Sequence, residues 1–470
     1  MGGQKPAAQT VEGEGTPSGT AKTKGEGTPS GTAKTKGEGT PSGTLKTQAE
    51  PGRKRVLPTA GDIRKAADLL RPVVRETPLE LSNRLSGMVE QAVYLKREDI
   101  QVCRSYKVRG AYTFIASLPQ EERAAGVVCA SAGNHAQGVA FACRQLRIHG
   151  HVFLPATTPR QKRERIADIG GRWVTQVIGG EAFDDAAQAA AEFSRESGAT
   201  LVPPFDDAGV VAGQGTVGLE LLTQVPGGAP AVVVVPVGGG GLLAGVALWV
   251  AEHSPQTKVI GVEPQGAASL QAALEAGKPV SLQSVDGFVD GAAVRRVGDV
   301  PFDVVRELVD DVVSVPEGAV CTEMLNLYQT EGIIAEPAGA LASAALRGYL
   351  PEVPAGPVVC VVSGGNNDVS RYADVLERSL VHEGLRHYFL VTFPQQPGAL
   401  RGFLEDVLSD GEDIVLFEYV KKNARETGPA LVGIDLVKAS GLDGLLERMD
   451  ASPLSIEKLA PDSAVFEFLL

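Results

Sequence analysis

Four short segments gather the residue types that could do chemistry. They are Ser105-Tyr106-Lys107-Val108-Arg109-Gly110-Ala111, Ser131-Ala132-Gly133-Asn134-His135, Gly238-Gly239-Gly240-Gly241-Leu242 and Ser363-Gly364-Gly365-Asn366. Each stands where an apolar run ends or a helix begins. In an open α/β sheet, ligands sit in the crevice beyond the carboxyl ends of the strands. One lysine, a run of glycine amides and two polar loops gathered there suit a phosphorylated aldehyde better than a nucleotide.

Val108, Ala111, Tyr112 and Ile115 fall on one helical face, which puts Lys107 in the first turn of a helix. The positive end of the helix dipole disfavours a second positive charge and so favours a neutral amine. A neutral lysine amine is the nucleophile of Schiff-base chemistry. Taken alone, Lys107 reads better as a solvated surface lysine. Ser131–His135 lies between the strand Val127–Ala130 and a helix read over Ala136–Leu146. Free amides at that helix start suit an anion such as a carboxylate. Asn134 can hydrogen-bond a phenolic oxygen or an imine. His135 invites a general-base role, but beside a helix start the better reading is that it satisfies backbone groups.

Gly238–Gly241 follows four valines and opens a helix, so its amides can approach a phosphate closely. A rival reading exists, because Gly239-x-Gly241-x-x-Ala244 followed by Glu263 also fits a dinucleotide fingerprint. That rival leaves Lys107 and Ser363 without roles. Ser363 ends the run Val358–Val362 and alone would be a turn serine. A neutral hydroxyl aimed at a pyridine nitrogen would leave the ring a weak electron sink, favouring rapid loss of a β-substituent.

The elements that must hold these segments are nearly continuous apolar strands alternating with helices. Val127–Ala130, His151–Leu154, Ala231–Val237, Val259–Val262 and Val358–Val362 are the strand candidates, the pattern of parallel strands buried on both faces. Thr59 opens the first helix of this globular part. Alternation of this kind predicts a doubly wound α/β architecture, with residues 106–196 able to form a smaller lobe. The first 55 residues are a low-complexity tail. A unit beginning Gly-Glu-Gly-Thr-Pro-Ser-Gly-Thr recurs at Gly13, Gly25 and Gly37, without the apolar face that a stacking repeat needs. After about Glu377 the texture changes. Strands read at His387–Pro394, Asp413–Lys421, Ala430–Lys438 and Ser463–Leu470, with helices at Gly398–Leu408 and Leu442–Met449, give the β-α-β-β-α-β order of a ferredoxin-like unit.

The chain has 470 residues, 43% hydrophobic, and a net charge of −13. That acidity argues against a nucleic-acid partner. No apolar run is long enough for a membrane span, and the N-terminal stretch lacks the apolar core of a signal peptide. Cys103, Cys129, Cys143, Cys321 and Cys360 are scattered and odd in number, as expected of reduced thiols in a cytoplasmic protein.

The combination of segments resembles the fold-type II (tryptophan-synthase-β-like) pyridoxal-phosphate enzymes, and among them the threonine dehydratases. The likeness also runs through Pro203-Pro204-Phe205-Asp206, Gly213-Gln214-Gly215-Thr216 and Ala335-Glu336-Pro337-Ala338-Gly339-Ala340, and spans residues 56–377. It implies that Lys107 carries pyridoxal 5′-phosphate as an imine and takes the substrate Cα proton. It sets Tyr106 beside the ring, Asn134 on the ring hydroxyl, Gly238, Gly239, Gly240, Gly241 and Leu242 around the phosphate, and Ser363 at the pyridine nitrogen. Ser131, Gly133, Asn134 and His135 then surround the substrate carboxylate. The cofactor phosphate is the implied proton donor to the departing hydroxyl.

Residues 385–470 resemble a single ACT-like regulatory domain. Pro397-Gly398-Ala399-Leu400 stands where that family places its turn-helix signature. The resemblance implies L-threonine as substrate, with L-serine as a second, deamination to a 2-oxo acid and ammonia, isoleucine as effector, and a homotetramer. Some relatives, including serine racemases, bind a divalent ion after the strand that follows the glycine loop. Glu263 matches their ligand, but Ser269 stands where they have aspartate, so no metal is predicted. The alternatives are a degradative serine/threonine deaminase, a serine racemase, or a catalytically silent amino-acid sensor; a dinucleotide-dependent oxidoreductase comes last.

Overall fold

A computed structural model describes residues 56–352, 354–419 and 426–460. The N-terminal repeats, the strand read at Ser463–Leu470 and the end of the one read at Asp413–Lys421 lie outside the described residues.

A six-stranded sheet forms the centre of the larger lobe. Its spatial order is Leu79–Leu81, Val93–Arg97, Val358–Val362, Val232–Pro236, Lys258–Pro264 and Asp311–Val315. Only the first pair is antiparallel. The period-two geometry of a strand sends alternate side chains to opposite faces, and the valine runs show it. Val232, Val234, Val358, Cys360 and Val362 pack into one apolar cluster, while Val233, Val235, Val359 and Val361 pack into another. Helices cover both clusters, which is why these strands carry no polar face.

A second, parallel sheet orders Val174–Ile178, Gly150–Leu154, Val127–Ala130 and Thr200–Leu201. Val127 and Cys129 face one cluster and Val128 the other. This smaller lobe carries the helices Lys107–Ser117 and Asn134–Leu146, which pack against each other. The second helix starts two residues before the expected Ala136, so Asn134 and His135 lie in its first turn. All five cysteines are buried and unpaired.

The helix Lys107–Ser117 is anchored by a buried charge network. Arg109 forms a two-pronged pair with Glu98 at 2.7 and 2.8 Å and reaches Glu220 at 2.6 and 2.9 Å. Lys96 donates to Glu220 at 2.6 Å and to the Thr77 carbonyl at 2.6 Å. Two cations meet two carboxylates, so the group is neutral as a whole. Burial alone would push the Glu98 carboxyl up, but the Arg109 guanidinium, with Lys96 and the Thr77 hydroxyl, outweighs it and the net shift is downward.

The C-terminal unit has the strand order Glu412–Tyr419, Thr427–Leu436, Arg386–Pro394, Ser455–Lys458, all antiparallel. With the helices Ala399–Asp406 and Leu442–Ala451 the chain order is β-α-β-β-α-β. Phe389, Val391 and Phe393 pack with Phe403, Leu445 and Met449 on the helix-covered face. On the other face, Tyr388 and Leu390 meet Val381 of the helix Tyr372–His382. That helix also packs on Glu317–Glu331 of the larger lobe, where Thr322 Oγ1 and Ser379 Oγ lie 2.9 Å apart.

Removing one member of a buried ion network strands its partner. Arg109→Met leaves Glu98, which is fully buried, without its main counter-charge. The expected loss is about 3–5 kcal/mol of unfolding free energy by urea titration; a loss below ~1 kcal/mol would mean that the network does not hold the helix.

Candidate functional site

Two backbone hydrogen bonds, which together make one antiparallel bridge, bring the lysine segment to the serine loop. Tyr106 N–H donates to the Ser363 carbonyl at 3.2 Å and Gly365 N–H to the Arg104 carbonyl at 2.9 Å, so that Ser105 is bridged to Gly364. The strand end Val362 therefore delivers its loop directly to the start of the helix that bears Lys107. Lys107 is the first residue of that helix, as expected. Its Nζ donates to the Pro204 carbonyl at 3.0 Å and sits over the rings of Tyr106 and Phe205, 5.4 and 5.7 Å from their centroids. Burial lowers its pKa to about 8, against a smaller opposing pull from Glu336. A fraction of neutral amine is therefore present near neutral pH.

The glycine run follows the strand Val232–Pro236 and opens the helix Gly241–His253. Gly240 has φ +86°, a conformation that glycine adopts without strain. A Cβ on Gly241 would come 2.5 Å from Gln214 Oε1, and one on Gly239 would overlap the Phe205 ring. Side chains are thus excluded along this run. Leu242 is buried in the core and offers the site only its backbone. Gln214 Oε1 is itself buried without a hydrogen-bond partner, as is Ser105 Oγ.

Asn134 is locked from both ends. Its Nδ2 donates to Glu336 Oε1 at 2.5 Å, and its Oδ1 accepts from Asn366 Nδ2 at 2.7 Å. Ser131 Oγ accepts from Gly133 N–H at 3.3 Å, shaping the loop before the helix. The ring of His135 turns inward, with Nε2 2.9 Å from the Val202 carbonyl. Burial, aided by the Lys107 charge, lowers its pKa to about 3. The ring is neutral and spends its N–H on a backbone carbonyl, so a substrate would meet its backbone amide rather than a base. First-turn amides have no partner inside the helix. Ser363 Oγ donates to the Ala338 carbonyl at 3.2 Å and keeps lone pairs for a further contact.

Sequence reading gave Phe205, Gln214, Glu336 and Asn366 no individual roles, although each lies in a segment carrying the resemblance. The available signal for Glu336 was a single carboxylate in the apolar run 333–346. Glu263 is no free ligand. It is fully buried and accepts from the amides of Leu270 at 2.7 Å and Gln271 at 2.9 Å. Among the described residues no three His, Cys, Asp or Glu side chains gather in a way that could hold a metal ion. No helix of the described residues is long and apolar enough to cross a membrane.

In the C-terminal unit Gly398, with φ +92°, caps the helix Ala399–Asp406. Pro397, Gly398 and Leu400 are exposed and Ala399 is half-buried.

The site fits pyridoxal phosphate on its own chemistry: a buried, partly neutral amine, a side-chain-free run of amides, a neutral hydroxyl and an oriented carboxamide. Comparison with known proteins agrees. Residues 70–364 match the pyridoxal-phosphate dependent enzyme family, and residues 377–469 match the C-terminal regulatory domain of threonine dehydratase. The biosynthetic L-threonine dehydratase IlvA of Mycobacterium tuberculosis is 58% identical over 414 residues, covering 88% of this chain and 96% of that protein. Among solved structures, the processed form of threonine deaminase isoform 2 from Solanum lycopersicum superposes with a TM-score of 0.63 at 38% identity, covering 71% of this chain and 98% of that one. Maize serine racemase gives 0.62 at 32% identity, covering 70% and 99%. The chain belongs to the pyridoxal-phosphate-dependent threonine dehydratases, with the C-terminal regulatory domain of that family.

Proposed function

We propose that this chain converts L-threonine to 2-oxobutanoate and ammonia, the first committed step toward isoleucine, and that isoleucine inhibits it through the C-terminal unit. In this reading residues 56–377 carry the chemistry and 385–470 the control. The observation that carries it is the amine of the half-buried Lys107, set over two aromatic rings with its pKa lowered by desolvation to about 8. Across the reaction, threonine loses its Cα hydrogen and β-hydroxyl as water, then gains water as ammonia leaves.

When bound, the cofactor supplies an aldehyde that joins amines and a ring that accepts electron density from Cα. The chain's own residues do the rest. Lys107 would hold the cofactor, and its amine would take the proton from the substrate Cα. The amides of Gly238–Gly241 hold the phosphate at a helix start. Asn134 would meet the ring oxygen, and Ser363 would offer the ring nitrogen a hydroxyl, which does not stabilise a positive charge there as a carboxylate would. The amides after Ser131 orient the substrate carboxylate. Tyr106 and Phe205 exclude water from the amine. The pairing of this site with a regulatory domain supports the biosynthetic reading over a racemase or a degradative deaminase. We also place the enzyme in the cytoplasm as a homotetramer; five buried, unpaired cysteines suit a reducing compartment.

The first test is to incubate the protein with pyridoxal phosphate and L-threonine and measure 2-oxobutanoate. Product should form and should fall when isoleucine is added. Product that ignores isoleucine would keep the lyase and remove the effector assignment; no product despite bound cofactor would remove both. Lys107→Ala should retain the fold by circular dichroism while turnover drops to background, and normal turnover in that variant would overturn the scheme.

The lowered pKa of Lys107 also makes a kinetic prediction. A lysine amine is nucleophilic only when neutral, and this one gains its neutral fraction as pH rises through about 8 rather than near the ordinary value of 10.5. Capture of pyridoxal phosphate by cofactor-stripped protein should therefore accelerate with pH and level off above about 8. A rate still rising steeply toward pH ~10 would mean an ordinary, solvated lysine.

A further inference from the structure

We propose that Glu336 is a positioning residue that fixes the orientation of the Asn134 carboxamide, so that its second N–H is held for the oxygen of the cofactor ring. This inference rests on the reading that Asn134 faces that oxygen. A carboxamide can flip by half a turn, and the two orientations present opposite chemistry to a ligand. Glu336 and Asn366 together remove the choice. The Glu336 carboxylate can only accept, so it takes an N–H from Asn134 Nδ2 at 2.5 Å. Asn366 Nδ2 donates at 2.7 Å to Asn134 Oδ1 and at 2.8 Å to the Cys103 carbonyl, which fixes its own orientation. One hydrogen of Asn134 Nδ2 is used, leaving the other for a ligand.

Besides Asn134, the Glu336 carboxylate takes the backbone N–H of Asn366, but it does not serve its own helix. It precedes the helix Pro337–Ala344, yet its side chain makes no capping hydrogen bond to that helix. Only 5% of it is exposed, so the carboxylate is costly to keep ionised. Its backbone is held where the side chain is wanted. Its N–H donates to the Gly364 carbonyl at 3.1 Å, and the following Pro337 favours the extended backbone that Glu336 adopts, with ψ at 164°. Gly364 is small for the same reason: a Cβ there would overlap Glu336 and lie 3.3 Å from Asn134 Nδ2.

The charged and titratable groups around it act in both directions. Burial and then Asp290 raise its pKa, while the Asn134 hydrogen bond, the Asn366 amide and Lys162 lower it, leaving it at about 7. Lys107 and Tyr106 feel its charge from the neighbouring helix start. Asp290 is paired with Lys162 at 2.8 Å. Above about 7 the group is a carboxylate and selects the amide nitrogen of Asn134. Below it, the protonated acid is also a donor, and the selection weakens.

The test uses the full-length protein loaded with pyridoxal phosphate. Borohydride reduction and mass spectrometry first establish that wild type carries the cofactor on Lys107; failure there overturns the underlying reading, and this inference with it, before any variant is compared. The absorbance ratio of the ring-oxygen-ionised form to the neutral form is then followed across the neutral pH range. Asn134→Ala and Glu336→Ala should each lower that ratio about tenfold, the loss of one hydrogen bond to a charged group. The double variant should lower it no further than either single change. Glu336→Gln, whose side-chain oxygen still accepts, should restore most of the ratio and abolish its pH step near 7. A Glu336→Ala ratio equal to wild type, or effects that multiply in the double variant, would overturn the proposal. Should Glu336→Ala not fold, Glu336→Gln decides alone: a pH step of unchanged size overturns it.

Discussion

A lysine amine buried at the N-terminal end of a helix is disfavoured twice as a cation, by desolvation and by the helix dipole. The surrounding structure follows from making that position tolerable and rigid. Lys107 is given one carbonyl, that of Pro204, and two aromatic rings. Two residues further along the same helix, Arg109 is locked by Glu98 and Glu220. The pair makes a contrast in purpose. Arg109 is buried as a cation with full compensation, which fixes the helix. Lys107 is desolvated with little compensation, which keeps its amine reactive. A rigid element presenting an under-compensated amine is the arrangement that covalent catalysis needs.

The C-terminal unit touches the rest of the chain through the helix Tyr372–His382 and the turn before it. Glu377 accepts from Arg386 and from Tyr388 Oη, while Arg386 also forms a two-pronged pair with Asp435 at 2.6 and 2.7 Å. On the other side, the Arg371 and Arg378 guanidinium groups lie 4.8 and 4.4 Å from the centre of the Phe288 ring. Phe288 shares its loop with Asp290, whose charge acts on Glu336. An effector can shift a site only by favouring one of two arrangements over another. These cation–ring and ion-pair contacts are the ones such a rearrangement would have to change, because the strands on either side are fixed by their ladders.

The parts of this architecture that follow local rules were legible in the sequence. The strands Val127–Ala130 and Val358–Val362 were readable to the residue, since buried parallel strands need unbroken β-branched runs. The glycine run was readable as the opening of a helix after a buried strand, and Gly241 does begin that helix. Lys107 could be placed at a helix start from the apolar face that follows it. What could not be read was the partnership of Asn134 with Glu336, 202 residues apart, or that of Arg109 with Glu220. Such contacts depend on where crossovers deliver chain ends, and no periodicity encodes it. The start of the helix at Asn134 was missed by two residues for a related reason: Asn and His are poor helix formers, and the loop packing overrides them.

Glu263 and Glu336 show why burial must be read together with hydrogen bonding. Both are buried carboxylates, and burial raises the pKa of each to about 7. A perturbed carboxyl in an enzyme invites a catalytic reading, and by that measure alone the two are equivalent. Their partners separate them. Glu263 gives both oxygens to backbone amides at the start of the helix Ser269–Ala276; those bonds pull its pKa down, and its upward shift records burial alone. Glu336 gives an oxygen to a carboxamide, a group with two possible orientations. A backbone amide has only one orientation and gains nothing in specificity from a carboxylate; a carboxamide has two, and the carboxylate chooses between them. The cost of burying the second charge therefore has a return in chemistry that the first does not.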